Sequence, residues 1–322
     1  MIKIKTSTRL HMALIDMNGK HGRMDGGAGL AIDEPGICIR AKKSDIISIS
    51  GDPVLEESMK RTVRSLLPSD SGIEIEVIFR NKLHIGLGVG TQSLLAVAKA
   101  VNDLYNLEKT VPELSSIAGR GGTSGIGTHS FERGGFIVDG GHKTSTKSGF
   151  APSSVSKAYP APLLFRHDFP DWHIILAIPE GSGLHGNLEA SFFKENCPVP
   201  LPEVFEVSHT VLMQLMPAVI ENDIEAFGLG VDRLQNTGFN KREIALQPEI
   251  SKEIMKQMRE SGSKGAGLSS FGPVIYGFSD SKKEAQNIAN SVNEILGNSG
   301  KTVITKARNS GASVTVGNNS IL

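Results

Sequence analysis

Gly86-Leu87-Gly88-Val89-Gly90-Thr91-Gln92 follows a strand-like run, Ile73 to Phe79, and leads directly into an amphipathic helix. A junction of this kind holds anions. Glycine lets backbone approach a ligand closely, and the unpaired N–H groups of a helix's first turn, at the positive end of its dipole, receive phosphate oxygens. The helix follows from Leu94, Val97, Ala98, Val101 and Tyr105, which recur three and four residues apart on one apolar face. A turn that serves only chain geometry carries the same short signature. Three further clusters favour a ligand: Arg23-Met24-Asp25-Gly26-Gly27-Ala28-Gly29, Arg120-Gly121-Gly122-Thr123-Ser124-Gly125-Ile126-Gly127, and Lys264-Gly265-Ala266-Gly267-Leu268-Ser269-Ser270-Phe271-Gly272. Each sets glycine beside a cation or hydroxyl. The chain holds 36 Gly in 322 residues, about 11% against a usual level near 7%, and a substrate with several phosphates needs that many backbone donors.

Two familiar nucleotide motifs do not fit. Thr91 stands where the dinucleotide fingerprint G-x-G-x-x-G requires its third glycine. Gly297-Asn298-Ser299-Gly300-Lys301-Thr302 has two intervening residues instead of the four of a Walker A loop, and a helical pattern precedes it, so it reads as a helix cap and turn. The 34 basic and 34 acidic side chains cancel, which leaves no global field to attract nucleic acid or an anionic membrane; any anion site is local. Cys38 and Cys197 form no C-x-x-C pair and suit a reducing compartment without structural zinc. No apolar run approaches the ~18 residues of a spanning helix, so the expectation is a soluble, cytoplasmic protein.

The elements that must position these loops are mixed. Residues 2–50 read mainly as short strands, clearest at Gly36 to Lys42 and Asp45 to Ser50, and a helix follows from Pro53 to Leu67. After the glycine loop and its helix come a short helix at Pro112 and a strand from Gly134 to Asp139. Residues 142–162, rich in Ser, Thr, Lys and Pro, read first as a plain surface loop, and otherwise as a linker or flap whose His142, Lys143 and Lys147 could close over an anion. A strand from His173 to Ile178, helices at Pro202 to Glu221, Asn222 to Leu234 and Pro248 to Ser261, then strand (Val274 to Phe278), helix (Ser281 to Leu296) and strand (Thr302 to Lys306) complete the chain. This pattern predicts an α+β fold in two halves, 1–165 and 166–322.

The order of Arg9 and His11, the loop Gly86 to Thr91 and the late Lys264-Gly265-Ala266-Gly267 resembles the GHMP kinase superfamily. That resemblance implies an N-terminal half like domain 2 of ribosomal protein S5, carrying the phosphate loop, and a ferredoxin-like C-terminal half. Finer strings resemble one branch, the beta-ribofuranosylaminobenzene 5'-phosphate synthases: Arg9-Leu10-His11-Met12-Ala13-Leu14-Ile15-Asp16-Met17-Asn18-Gly19, Arg120 to Gly127 with Phe131-Glu132-Arg133-Gly134-Gly135-Phe136, and Pro217-Ala218 with Ala226-Phe227-Gly228. Two kinase features are missing. Val89-Gly90 replaces the Ser-Ser pair that helps hold magnesium, and Gly127 replaces the catalytic Asp that follows the Ser-Gly-Ile step. A phosphate cradle is kept and the base for a hydroxyl acceptor is absent.

The resemblance implies that phosphoribosyl pyrophosphate loses its pyrophosphate while the ring carbon of 4-aminobenzoate or 4-hydroxybenzoate attacks the anomeric carbon and its carboxylate leaves as CO2. The product is a C-riboside of methanopterin biosynthesis, and Mg2+ and a homodimer are implied with it. Such chemistry needs donors for the leaving group, an anion near the oxocarbenium-like centre and a cation for the benzoate. Gly86, Gly88, Gly90, Thr91, Arg120, Gly121, Gly265 and Gly267 are the phosphate-binding candidates. Asp16 is the candidate anion and metal ligand, Arg23 the candidate cation, and Arg9, His11 and Asn18 the remaining substrate contacts. A small-molecule kinase of the same superfamily and a non-catalytic sensor of a phosphorylated metabolite stay open as alternatives.

Overall fold

A computed structural model describes residues 1–153 and 155–317. Its spine is a long antiparallel hairpin of β1 (Ile2–Asp16) and β2 (Arg23–Ser44), paired from Ile2 opposite Ala41 to Asp16 opposite Asp25. The expected series of short strands is thereby corrected to two long ones. Residues 24–32 of β2 are buried without a break, so the strand lacks the polar–apolar alternation of a one-sided strand. Register shifts between Thr6 and Thr8 and between His11 and Ala13 let the hairpin bend around the core.

Next come β3 (Ile47–Ser50), α1 (Glu56–Arg64), β4 (Gly72–Phe79), α2 (Val89–Tyr105), α3 (Val111–Ile117), α4 (Ile126–Glu132), β5 (Phe136–Asp139), β6 (His142–Lys143) and β7 (Leu163–His167). The second half holds β8 (His173–Pro179), α5 (Gly186–Asn196), α6 (Leu201–Thr210), a π-helical turn (Val211–Leu215), α7 (Met216–Glu221), α8 (Ile224–Gln235), α9 (Gly238–Ala245) and α10 (Glu249–Glu260). It closes with β9 (Ala266–Leu268), β10 (Ile275–Ser279), α11 (Lys282–Leu296), β11 (Gly300–Thr305) and β12 (Ser313–Val316). Pro217 near the start of α7 lacks an N–H and crowds the preceding turn, which accounts for the local widening to a π turn.

The first sheet runs β12-β1-β2-β4-β3, with β5 and β6 also on β2 and β7 on β5. The second runs β11-β8-β10-β9, antiparallel throughout, which is the fourth-first-third-second order of a ferredoxin-like sheet. Gly297 caps α11 with positive φ, so the Walker-like string is a cap and turn.

The division at residue 165 needs correction, because β7 runs through it and β12 returns to pair with β1. The halves also share one core, in which Leu10, Leu30 and Phe136 pack with Leu176, Phe227, Tyr276 and Phe278. Among the described residues no helix is long and apolar enough to cross a membrane.

Phe227 is the keystone of that shared core. Fully buried, it meets Phe136 of the first sheet and Phe169, Trp172 and Phe278 at ring-centroid distances of 5.2–5.9 Å. Phe227→Ala is expected to destabilise the protein by about 3–5 kcal/mol. Unfolding should remain one transition, with Trp172 fluorescence and far-ultraviolet circular dichroism coinciding in a denaturant titration; separate transitions would show two independent cores.

Candidate active site

A cleft opens where the glycine loop, β1, the Arg120–Gly127 segment, the start of α5 and the Ser270–Gly272 loop meet. Gly88 caps α2 in the left-handed conformation, and no side chain caps that helix. Gly86 has positive φ, and a Cβ there would lie 2.3 Å from the Ser269 carbonyl oxygen. Only glycine passes so close. The Ser269 hydroxyl donates to the Gly86 carbonyl (2.8 Å) and accepts the His11 N–H (3.0 Å). The Gly183 N–H donates to the His84 carbonyl (2.7 Å) and the Val274 N–H to that of Ile85 (3.2 Å). The loop therefore hangs between β1 and the second half.

Two arginines flank the opening of α2. Arg9 Nη1 donates to the Gly86 carbonyl, and its side chain lies where a Cβ on Gly88 would come within 3.1 Å of it. Arg120 Nη2 lies 3.3 Å from the Cβ position of Gly90. The glycines thus clear space for guanidinium groups over the helix N-terminus. Burial pulls the Arg9 pKa down to about 10 and lowers that of Arg120, but both remain charged at neutral pH. Among the described residues neither forms an ion pair with a carboxylate, though Glu189 acts on both and Glu243 on Arg9 from a distance, and the helix dipole and the two cations make an anion cradle.

The cleft also holds groups that the sequence did not single out. Burial pushes the pKa of Glu189 of α5 up to about 7 against the pull of Arg120, His185 and Arg9, and burial and then the Glu189 charge push Glu243 of α9 up to about 8 against the pull of Arg9. Burial and then the Arg9 charge push His11 down to about 3, so it is neutral. His84, left unassigned from sequence, stacks on His185 at 4.2 Å. Leu14, Leu184, Phe193 and Phe271 give the cleft an apolar wall. Neither α5 nor α9 was anticipated, which hid both glutamates. The available signal was Glu243 at helical spacing from Phe239 and Asn240, a carboxyl on a buried face.

Position 127, where kinases carry an Asp, lines the cleft, but a Cβ there would approach Thr91 Cγ2 to 3.0 Å. The Thr91 methyl occupies that space. Asp139 stands nearby, yet its carboxylate accepts from the Gly125 N–H (2.9 Å), the Ser124 hydroxyl (3.1 Å) and the Gly141 N–H (3.0 Å). Burial raises it to about 6, and its contacts hold the start of α4.

Of the residues expected from sequence, the cleft brings together Arg9, His11, Gly86, Gly88, Gly90, Thr91, Arg120 and Gly121. It does not bring in Asp16, Asn18, Arg23, Gly265 or Gly267. Asp16 Oδ1 accepts the N–H groups of Asn18 and Gly19, both at 2.9 Å, while Asn18 Nδ2 donates to the Val199 carbonyl (2.7 Å). Arg23 is exposed and clamps the carbonyls of Gly140 (2.7 Å) and Gly141 (2.9 Å). The two side chains serve different seams and do not converge. A Cβ on Gly265 would meet the Gly228 carbonyl at 2.6 Å and one on Gly267 the Tyr276 hydroxyl at 2.5 Å, so both glycines serve close packing. Gly27 and Gly29 do the same under Ser124 and Ile126.

The 142–162 segment also departs from expectation. His142 Nδ1 and Lys147 Nζ engage the buried Asp25 carboxylate at 2.7 and 2.8 Å and do not line the cleft. Its later part packs on the second glycine cluster, with Ser156 Oγ donating to the Gly122 carbonyl (2.6 Å), and Pro152 and Ser153 wall the cleft. Among the described residues no three His, Cys, Asp or Glu side chains cluster to hold a metal. Glu189 and Glu243 are the acids among the cleft's lining residues.

Comparison with known proteins agrees with this architecture. Residues 55–132 match the GHMP kinases N terminal domain and residues 215–298 the GHMP kinases C terminal family. The L. major mevalonate kinase crystal structure, in complex with R-mevalonate, superposes with a TM-score of 0.67 over 96% of each chain at 13% identity, a likeness of fold alone. A beta-ribofuranosylphenol 5'-phosphate synthase of Methanocaldococcus jannaschii is 44% identical over 96% of this chain and 98% of its own. One from Archaeoglobus fulgidus is 42% identical over 98% of this chain and 100% of its own. On this shared fold, and at this identity over nearly full length, the chain belongs to the beta-ribofuranosylphenol 5'-phosphate synthase family.

Proposed function

We propose that the chain condenses phosphoribosyl pyrophosphate with 4-hydroxybenzoate or 4-aminobenzoate, releasing pyrophosphate and CO2, as a step of methanopterin biosynthesis. The observation that carries this reading is the pair of arginines, neither in an ion pair, over the uncapped start of α2, beside an apolar wall that suits an aromatic ring. In the proposed reaction the anomeric C–O bond breaks toward the pyrophosphate, which takes the electron pair. Arg9, Arg120 and the first-turn N–H groups of α2 stabilise the charge that develops there. The ring carbon bearing the carboxylate bonds to the anomeric carbon, and the carbon–carboxylate bond then breaks, returning its electrons to the ring as CO2 departs. Magnesium bound to the pyrophosphate would supply further charge neutralisation. The phenol in the relatives' names favours 4-hydroxybenzoate as acceptor. A kinase would need a base for a hydroxyl acceptor, and Gly127 under the Thr91 methyl offers none.

Incubation with magnesium, phosphoribosyl pyrophosphate and carboxyl-labelled acceptor should release labelled CO2 and pyrophosphate together; folded protein that releases neither with either acceptor would overturn the proposal. Arg120→Ala removes a charge-assisted contact of about 1.5–3 kcal/mol. KM for phosphoribosyl pyrophosphate should therefore rise about tenfold to a hundredfold, with the melting temperature little changed.

A third expectation concerns pH. Glu189 titrates at about 7, so its carboxyl gains negative charge as pH rises from 6 to 8 and cancels part of the cradle's field. Pyrophosphate affinity measured by calorimetry should fall more steeply over that range in the wild type than in Glu189→Gln. The ligand's own ionisation is common to both, and parallel curves would remove Glu189 from the cradle.

A further inference from the structure

We propose that Glu243 takes the proton of the acceptor's para-hydroxyl group, and thereby adapts the site to a phenol rather than an aniline. The inference rests on the reaction proposed above. Glu243 lies on α9, whose position is fixed from two sides. Phe239 packs on Phe193 and Phe192 with centroids at 4.9 and 5.4 Å, and Asn240 Nδ2 donates to the Met12 carbonyl of β1. One turn on, Glu243 is 6% exposed and lines the cleft.

Among the described residues its carboxyl accepts no hydrogen bond and forms no ion pair. The residue is largely buried while its carboxyl opens on the cleft, where it is unengaged by protein donors and open to a hydroxyl of a bound acceptor. The charged groups that face it are Arg9 and Glu189; the apolar wall of Leu14, Phe193 and Phe271 completes its surroundings. Glu189 differs, since it faces Arg120 and His185 on the side of the cradle. An acceptor that presents its carboxylate-bearing carbon to Arg120 and the start of α2 points its para substituent away from Arg120, and Glu243, whose charged neighbours are Arg9 and Glu189 and not Arg120, lines the same cleft.

A neutral phenol is a weak carbon nucleophile and a phenolate a strong one. The Glu243 carboxylate accepts the hydroxyl proton as oxygen electrons move through the ring and the para carbon bonds to the anomeric carbon, with pyrophosphate leaving. Loss of CO2 returns an electron pair to the ring, and Glu243 returns its proton to the phenolate oxygen. Burial raises the basicity of Glu243 toward that of a phenol, the condition for efficient transfer. An aniline needs no such base, because its nitrogen lone pair activates the ring without loss of a proton.

The test is steady-state kinetics of wild type and Glu243→Gln, with magnesium and phosphoribosyl pyrophosphate, on 4-hydroxybenzoate, 4-aminobenzoate and 3,5-difluoro-4-hydroxybenzoate. The last phenol is acidic enough to ionise unaided. The substitution should lower kcat/KM by at least about a hundredfold with 4-hydroxybenzoate, within the range of general-base effects. The loss should be under about tenfold with the aniline or the fluorinated phenol. Equal losses on all acceptors would make Glu243 structural, and no loss on any would exclude it; either overturns the inference and leaves the proposed reaction standing. Wild type that turns over only the aniline overturns it too, whereas wild type inactive on every acceptor fails the reaction itself and the inference with it. Should Glu243→Gln not fold, Glu243→Asp withdraws the carboxylate by one methylene and must show the same acceptor-dependent loss at smaller size.

Discussion

The Gly86 carbonyl accepts from two donors brought from opposite ends of the chain, the Arg9 guanidinium on β1 and the Ser269 hydroxyl just after β9. That shared acceptor fixes where α2 begins, because Gly88, two residues on, is the helix cap. It also fixes the arginine. With Nη1 spent on backbone, the Arg9 side chain is held along Gly88 and its charge is set over the first turn. Ser269 in turn accepts from the His11 backbone, so strand, loop and second half form one bonded unit. The long hairpin and the shared aromatic core serve this arrangement by holding both donors at fixed distance from the loop.

Electrostatics in the cleft follows from burial. Desolvation weakens the charged form of every group it encloses, but arginine begins with so high a pKa that Arg9 at about 10 is still a cation at pH 7. Histidine and the carboxyls lack that margin. His11 is left neutral, and Glu189 and Glu243 titrate near neutrality. One and the same burial therefore yields a cleft whose fixed charge is positive and whose acids exchange protons in the physiological range.

How much of this was legible depended on what a local pattern encodes. The glycine loop and α2 could be read because a 3.6-residue apolar period follows directly on clustered glycine; α11 likewise has a clear period, and β8 and β10 are short apolar runs of strand length. Strand β2 could not, since burial on both faces erases alternation, and β12 pairs with β1 across almost the full length of the chain. The glycine clusters show a deeper limit. Glycine reports that space is needed and not what fills it: arginine at Gly88 and Gly90, a carbonyl at Gly86, helix α4 at Gly27 and Gly29, a tyrosine at Gly267. Asp16 and Arg23 are near in sequence across a turn, yet their hydrogen bonds go to the turn backbone and to Gly140–Gly141. Glu189 and Glu243 belong to no motif, and only the fold brings them to Arg9.

A cradle for phosphate groups constrains the leaving group far more than the nucleophile. In a kinase the acceptor is a hydroxyl, and its proton must be taken at the reacting oxygen, beside the phosphates. In the reaction proposed here the nucleophile is a ring carbon that carries no proton, so nothing has to be deprotonated beside the cradle. Gly127 and the Thr91 methyl can then fill the place of a base without loss. Whatever proton has to move sits at the other end of the acceptor, a ring's width from the pyrophosphate. That separation favours catalysis: a carboxylate beside the departing pyrophosphate would oppose the charge developing there, whereas one at the para end of the acceptor would activate the ring with less of that penalty.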